Sequence, residues 1–411
     1  MYFIKLALRN IFRNRRRSLL AVLSVLLALF LMSFMEGFLN GMLGSFTTNA
    51  TKTDSGHVQI TTKEFQDRLR FMPVDANITD PVAVVEALKN DPVVGPRIDL
   101  TAMRLKFGTL LEYNGRNKTA LGIGGEPETE KKLLMLDRAI IRGKYISGAR
   151  EIVIGENLAE DLGIEVGAVL KIVSATAEGS TNMRKLTVAG IFRSGIDSLD
   201  SGVFQMTLED AQALLKTGGG VQQIMVMLKD YKQSEQTALD ILKILGNPDL
   251  TALPWTESNE MFGFLSMAEA MFISIYFFIA ILGTVIIVNI MMMVVLERRR
   301  EIGIMKALGV SRREILGIFT AEGLILGIFG SLAGVFLGLA VTAVVATTGI
   351  DLGESLKGMN FPMTNVIYPA VSAMGLVKVF VIGVLTAGII SILPARRAAR
   401  MNAVAAIKSA L

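Results

Sequence analysis

Glu297-Arg298-Arg299-Arg300-Glu301-Ile302-Gly303-Ile304-Met305-Lys306-Ala307-Leu308-Gly309-Val310-Ser311-Arg312-Arg313-Glu314 is the stretch whose reading decides the fold. An uncharged run, Ala270 to Leu296, precedes it, and another, Gly323 to Ile350, follows it. Each is longer than the roughly 20 apolar residues that carry a helix across a bilayer. A charged segment between two such spans lies at a water interface, and its arginine excess puts it on the cytoplasmic side. Within it Ile302, Ile304, Met305 and Leu308 fall on one side of a 3.6-residue period, with Arg299, Gly303 and Lys306 opposite. Gly309 suits the left-handed residue that stops a helix, and Ser311 with Glu314 reads as a capping box opening the next one. The expectation is a short amphipathic helix lying flat at the inner face, covalently tied to two spans.

Composition agrees with a mixed membrane and aqueous chain. Of 411 residues, 51% are hydrophobic and 19% charged, and the mean hydropathy is +0.50. That is too apolar for an ordinary soluble protein and too charged for one embedded throughout. The net charge of +5 is unevenly spread. Residues 1–17 carry six basic side chains and 394–411 carry four, with no acid in either, whereas Glu36 to Glu269 holds 24 basic against 31 acidic. The basic ends belong at the cytoplasmic side of a membrane, and no basic patch interleaved with aromatics suggests nucleic acid. No cysteine is present, so disulfides and thiol chemistry are excluded. The single histidine, His57, rules out histidine-based triads and most zinc sites, and it reads as a surface strand residue. No G-x-x-x-x-G-K-[ST] occurs, so the chain has no phosphate-cradling loop of its own. The expectation is a chain without catalysis, cofactor or metal, driven by a partner.

Around the opening stretch the rest falls into order. Residues 1–17 form a cytoplasmic amphipathic helix, with Lys5, Arg9 and Arg13 opposite Ile4, Leu8, Ile11 and Phe12. Residues 18–46 are a first span and stalk. A signal peptide is the rival, but its apolar core would be shorter and followed promptly by a cleavage site, so an uncleaved span is preferred. Residues 47–260 are an aqueous α/β domain, 261–296 a stalk and second span, and 297–313 the inner helix. Then come a third span at 314–347, a short outer loop at 348–372 with Asp351, Glu354 and Pro362, a fourth span at 373–393, and a cytoplasmic tail at 394–411. The fold class is thus a membrane protein of four transmembrane helices with a large mixed α/β extracytoplasmic domain, in two lobes, between helices 1 and 2.

The large loop alternates strands and helices. Val58–Thr62 reads as a strand, Asp80 caps a helix to about Asn90, and strands follow near Arg97–Phe107, Thr109–Tyr113 and Thr119–Ile123. Gly163 and Gly167 punctuate a strand, helix, turn and strand, while Thr207 caps another helix. Gln223–Leu228 is a strand and Gln233 to Leu245 a helix. About 210 residues exceed one compact lobe, so one lobe is expected from both ends of the loop with a second inserted between them.

The runs "ERRREIGIMKALGVSRREILGIF" (297–319), "KLALRNIFRNRRRSLL" (5–20), "GENLAEDLGIEVG" (155–167) and "AGIFRSGIDSLDSGVFQMTLEDAQALL" (189–215) resemble the MacB/FtsX/LolC-type ABC transporter permeases. The ending "LPARRAARMNAVAAIKSAL" is similar too, except that Ala403 stands where that family usually has proline. The resemblance implies an ATPase-coupling helix that includes Glu297, Arg300, Glu301, Ile304, Met305, Lys306, Leu308 and Gly309. It further implies two copies of a separate ABC-type ATPase, which binds ATP and Mg, and a second permease, identical or related. Length, the lack of a fused ATPase and the stalk "FMEGFLNGM" (34–42) look most like the LolC/LolE lipoprotein-releasing permeases of the bacterial inner membrane. Their substrate is a lipoprotein, taken from the membrane lipids and passed to a periplasmic lipoprotein carrier. A MacB-like export permease and an FtsX-like regulator of a cell-wall hydrolase are the rival readings.

Three further features carry expectations. Phe34, Met35, Phe38, Leu39 and Met42 face Phe262, Phe264, Leu265, Met267, Met271 and Phe272 as an adaptable lining for acyl chains, or as a stalk-to-stalk contact that holds a dimer. Gly323, Gly327, Gly330, Gly334 and Gly338 give small-xxx-small spacing for close packing, against span four or across a dimer. Glu322, roughly 13 Å into its helix, pairs with a cytoplasmic arginine or, less readily, relays protons.

Overall fold

In the computed structural model the described residues are 7, 9–11, 13, 15–258, 261–352 and 365–402. Expectations for the remainder of the N-terminal helix, for outer-loop residues 353–364 and for the tail beyond 402 lie outside the described residues. The chain divides into two units, one holding the long helices (1–43, 265–350 and 367–411) and one holding the outer domain (44–264 and 351–366).

Among the described residues four helices are long and apolar enough to cross a membrane: α1 (Arg15–Ala50), α8 (Met261–Glu297), α10 (Arg312–Thr348) and α11 (Ala373–Arg400). The Ser311 hydroxyl accepts from the Glu314 N–H while the Glu314 carboxylate accepts from the Ser311 N–H, which is the capping box that opens α10. α11 runs seven residues beyond the expected end at Leu393, with Pro394 inside it. Proline costs a helix interior one backbone hydrogen bond, and the segment that follows it is held by packing, with Pro394, Ala395, Ala398 and Ala399 all buried.

The glycine stripe of α10 splits between two partners. A methyl group at Gly323 or Gly327 would strike Ser391 or Ala387 of α11, and one at Gly330, Gly334 or Gly338 would strike Val25, Leu29 or Ser33 of α1. Close approach on both sides places α10 at the middle of the helix set. The stripe therefore serves spans one and four of the same chain, not span four alone.

The outer domain is built on one mixed sheet of ten strands. In chain order its elements are β1 (Val58–Thr62), α2 (Pro81–Asn90), β2 (Ile98–Tyr113), β3 (Arg116–Gly125), α3 (Pro127–Leu134), β4 (Ile140–Gly143), β5 (Glu151–Gly155) and α4 (Glu156–Leu162). They continue with β6 (Val169–Ala175), β7 (Thr181–Phe192), α5 (Asp197–Gly202), β8 (Val203–Thr207), α6 (Leu208–Leu215), β9 (Gln223–Leu228), α7 (Ser234–Leu245) and β10 (Leu250–Pro254). The strand order is β10-β1-β9-β2-β3-β8-β5-β7-β4, with β6 on β2 and β7. Two expected strands, Arg97–Phe107 and Thr109–Tyr113, prove to be one. β2 runs 16 residues through Gly108 without a break, its first half pairing β9 and its second β3 and β6.

That long strand links the two largest cores on the one sheet. Val58, Ile60, Ile224, Val226, Leu88 and Ile241 form one core from the two ends of the segment. Leu105, Phe107, Ile154, Leu170, Val188, Phe204 and Leu214 form a second from its middle, and Ile123, Val153, Phe192 and Val203 belong to a smaller third. Sequence reading missed α3, β4 and α5, which are short elements carrying few periodic apolar residues.

His57 is half-buried just ahead of β1 rather than on a strand surface. Its Nδ1 accepts the Leu228 N–H at 2.9 Å, a role that requires the neutral ring. Burial lowers its pKa below the ordinary 6.5, with Lys52 adding to the effect and Asp99 opposing it. A group depressed in the folded state binds more protons when unfolded, so stability falls as pH drops through that ordinary value. Thermal melts of the full chain should therefore show an outer domain that weakens between about pH 7 and pH 5. His57→Phe should flatten that part of the profile.

Candidate coupling site

The decisive stretch folds as α9 (Arg299–Ala307), closed by Gly309 at φ +91°. Its buried side comprises Ile302 and Gly303, packed with Val295, Ile315, Phe319, Ala395, Ala398 and Ala399 from the ends of α8, α10 and α11. Met305 is half-buried against the same cluster. Ile304 and Leu308 are not, being 45% and 80% exposed. The expected apolar face is thus divided: Ile302 and Met305 hold the helix from behind, while Arg300, Ile304, Ala307 and Leu308, at spacings of three and four, make an outward stripe.

Charged groups hold the helix at three points. Arg298, only 7% exposed, donates from Nη1 to Glu322 at 3.2 Å and from Nε to Glu301 at 2.9 Å. Its guanidinium also lies 5.4 Å from the Phe319 ring centre. Glu301 accepts in turn from Arg13 at 2.5 Å. Partial burial raises the Glu301 carboxyl, but the hydrogen bonds from Arg298 and Arg13 outweigh it and hold that group below the ordinary carboxylate range. Lys306 donates to the Ala399 carbonyl at 2.7 Å and to that of Met401, where the last carbonyls of α11 lack helical partners. Burial, with Arg312 nearby, lowers the Lys306 pKa.

Lys306 was expected on the polar face, and it instead caps α11. Glu297, Arg300 and Gly309 are exposed. The arginine partner expected for Glu322 is Arg298. Sequence reading did not single out Arg298 within its run of three arginines. Only a buried acid one helix away distinguishes it from Arg299 and Arg300.

At the outer ends of the spans the expected lining is divided. Leu39 is buried, Phe34, Met35, Phe38, Met42 and Phe272 are half-buried, and Met267 and Met271 are 67% and 55% exposed on α8. The side chains of Phe262, Phe264 and Leu265 lie outside the described residues. Among the described residues, α1, α8 and α11 enclose an apolar crevice by Val25, Leu29, Ile279, Gly283 and Gly383, with about 20 Å³ of room, too little for an acyl chain. A polar contact that sequence reading missed lies at this level: Tyr276 donates to Glu36 at 2.9 Å. Glu36 as the one acid within an otherwise uncharged stretch was its available signal. No group of three or more metal-ligating side chains occurs among the described residues.

Residues 18–244 match the MacB-like periplasmic core domain, and residues 273–403 match the FtsX-like permease C-terminal family. The chain belongs to the MacB/FtsX/LolC-type ABC transporter permeases. It is 27% identical over 292 residues to the lipoprotein-releasing system transmembrane protein LolC of Xylella fastidiosa, covering 68% of this chain and 70% of that one. The LolC of Neisseria meningitidis is 25% identical over 300 residues, at 69% and 71% coverage. An uncharacterized ABC transporter permease of Methanocaldococcus jannaschii is 26% identical over 336 residues, at 79% and 78%. The chain is accordingly a multi-pass membrane permease with a large periplasmic domain, and its family implies an ABC ATPase partner.

The buried pair is open to direct test. Arg298→Met leaves Glu322 buried without its partner, which should cost about 3–5 kcal/mol and lower the melting temperature of the full chain. Adding Glu322→Leu should restore most of the loss, as read by thermal melts of both variants in the same lipid nanodiscs.

Proposed function

We propose that this chain is the transmembrane permease subunit of an ATP-driven complex that extracts lipoproteins from the inner membrane and passes them to a periplasmic carrier. One observation carries the mechanical part. α9 presents Arg300, Ile304 and Leu308 outward while Arg298, Ile302 and Lys306 fasten it to α10 and α11. A helix so fastened cannot slide on its own, so a push on the outward stripe moves the spans with it. Two copies of the ATPase, which bind ATP and Mg, supply the push, and a second permease, the same or related, completes the membrane part.

The LolC relatives, named for lipoprotein release, support the choice of substrate. Extraction of an acyl anchor costs about 0.8 kcal/mol per buried methylene, so it needs an outside energy source. The crevice within a single chain is too small for that anchor, which favours a cavity completed by the second permease. Phe34, Met35, Phe38 and Met42 of α1 and Met267, Met271 and Phe272 of α8 are the described candidates for its wall.

Leu308→Asp and Ile304→Asp should leave the fold intact, since both side chains are exposed. In proteoliposomes with the ATPase, a lipoprotein and its carrier, each should cut release about tenfold or more while ATP hydrolysis persists, equivalent to about 1.4 kcal/mol of lost coupling. Normal release in both variants would sink the reading of α9. A wild-type complex that hydrolyses ATP but releases no lipoprotein would sink the choice of substrate.

A further inference from the structure

Helix α1 ends in a wider turn, Thr51–Ser55, inside the outer domain. A helix terminus leaves its last carbonyls without intrahelical donors, and here four consecutive ones are satisfied. Thr51 accepts from the Gly56 N–H at 2.7 Å, with Gly56 at φ +70°. Lys52 and Thr53 accept from Nη2 and Nη1 of Arg104, at 3.4 and 2.5 Å. Asp54 accepts from Nε2 of Gln223 at 3.1 Å, and its carboxylate pairs with Lys106. Three of the four residues that donate to this end do so through side chains of the central strands: Arg104 and Lys106 on β2 and Gln223 on β9.

The site is built, and not a chance contact. Arg104 is fully buried, and Glu130 of α3, also fully buried, grips it through two hydrogen bonds of 2.8 and 2.6 Å. The planar guanidinium can thus face the carboxylate with one edge and the two carbonyls with the other. Glu130 balances the buried cation, and the cation meets the negative end of the helix. Gln223 is oriented in turn by Gln59 of β1, whose Nε2 donates to Gln223 Oε1 at 2.5 Å.

We propose that this polar clamp, with Arg104 as its positioning residue, is the joint that passes displacement of the first membrane helix into the outer sheet. A hinge at this junction would dissipate such a displacement in free backbone rotation. The clamp instead ties the last helical carbonyls to β2, the strand that reaches from the core of the segment's two ends (Ile98 and Met103) into that of its middle (Leu105, Phe107 and Leu111). The inference rests on the mechanical reading of the permease given above.

The test replaces the ion pair by apolar side chains of similar size, R104M/E130L, because such exchanges of buried pairs are often tolerated. In the full chain in nanodiscs, amide exchange at Lys52–Gly56 should quicken about tenfold or more, while β2 and β9 keep their protection. In the ATP-driven release assay the same variant should hydrolyse ATP and release about tenfold less lipoprotein. Should the double variant fail to fold, R104K takes its place. It keeps a cation for Glu130 but cannot also span two carbonyls, so the same quickening is expected. Unchanged exchange at Lys52–Gly56 overturns the clamp. Quickened exchange with undiminished release overturns its part in transmission. Absence of release by the wild-type chain strikes the proposed function alone, since the exchange result needs neither ATPase nor lipoprotein.

Discussion

A charge taken out of water has to be met where it lies, and the α9 end of the helix set is arranged around that demand. Glu322 sits within a membrane helix at 4% exposure, and Arg298 reaches it from the junction of α8 and α9. Neither could stay charged there alone. Their pairing therefore dictates where α9 starts, which side of it faces α10, and which residues remain outside. Ile304 and Leu308 are left on the surface because Arg298 and Ile302 have claimed the inward side. The acidic link continues through Glu301 to Arg13, so the segment ahead of the first span joins the same network.

The second recurring constraint is the open end of a helix. α11 ends against Lys306, which supplies donors to two of its last carbonyls. α1 ends against Arg104 and Gln223. In both cases a long side chain from a different element does what a glycine turn or water would otherwise do. Such caps join elements that are distant in sequence, 93 residues apart for Lys306 and Ala399 and 51 for Arg104 and Thr53. The structural cost is low, because these groups would need partners in any case.

The helices were legible in the sequence because a bilayer demands length and uniform apolarity, and no other class of soluble element imitates a charge-free run such as Ala270 to Leu296. The capping box at Ser311 and Glu314, the Asp80 cap and the Thr207 cap were legible for the same local reason, since each is complete within four residues. Position within the packed set was less so. Ile304 and Met305 are adjacent and equally apolar, yet one is exposed and the other half-buried. A nine-residue helix leaves the direction of its inward side uncertain by about one residue, or 100°.

By itself the sequence determined the number of spans, the gathering of arginines at the ends of those spans and the α/β character of the loop. Each of these depends on composition or short-range spacing. Only the tertiary structure decided that β2 is one strand of 16 residues carrying two cores. The same holds for the division of the α10 glycines between α1 and α11, and for the choice of Arg298 over its two neighbours as the buried arginine. These rest on which surfaces meet across dozens or hundreds of residues. Side-chain volume and buried charge select those pairings, and no local pattern records them.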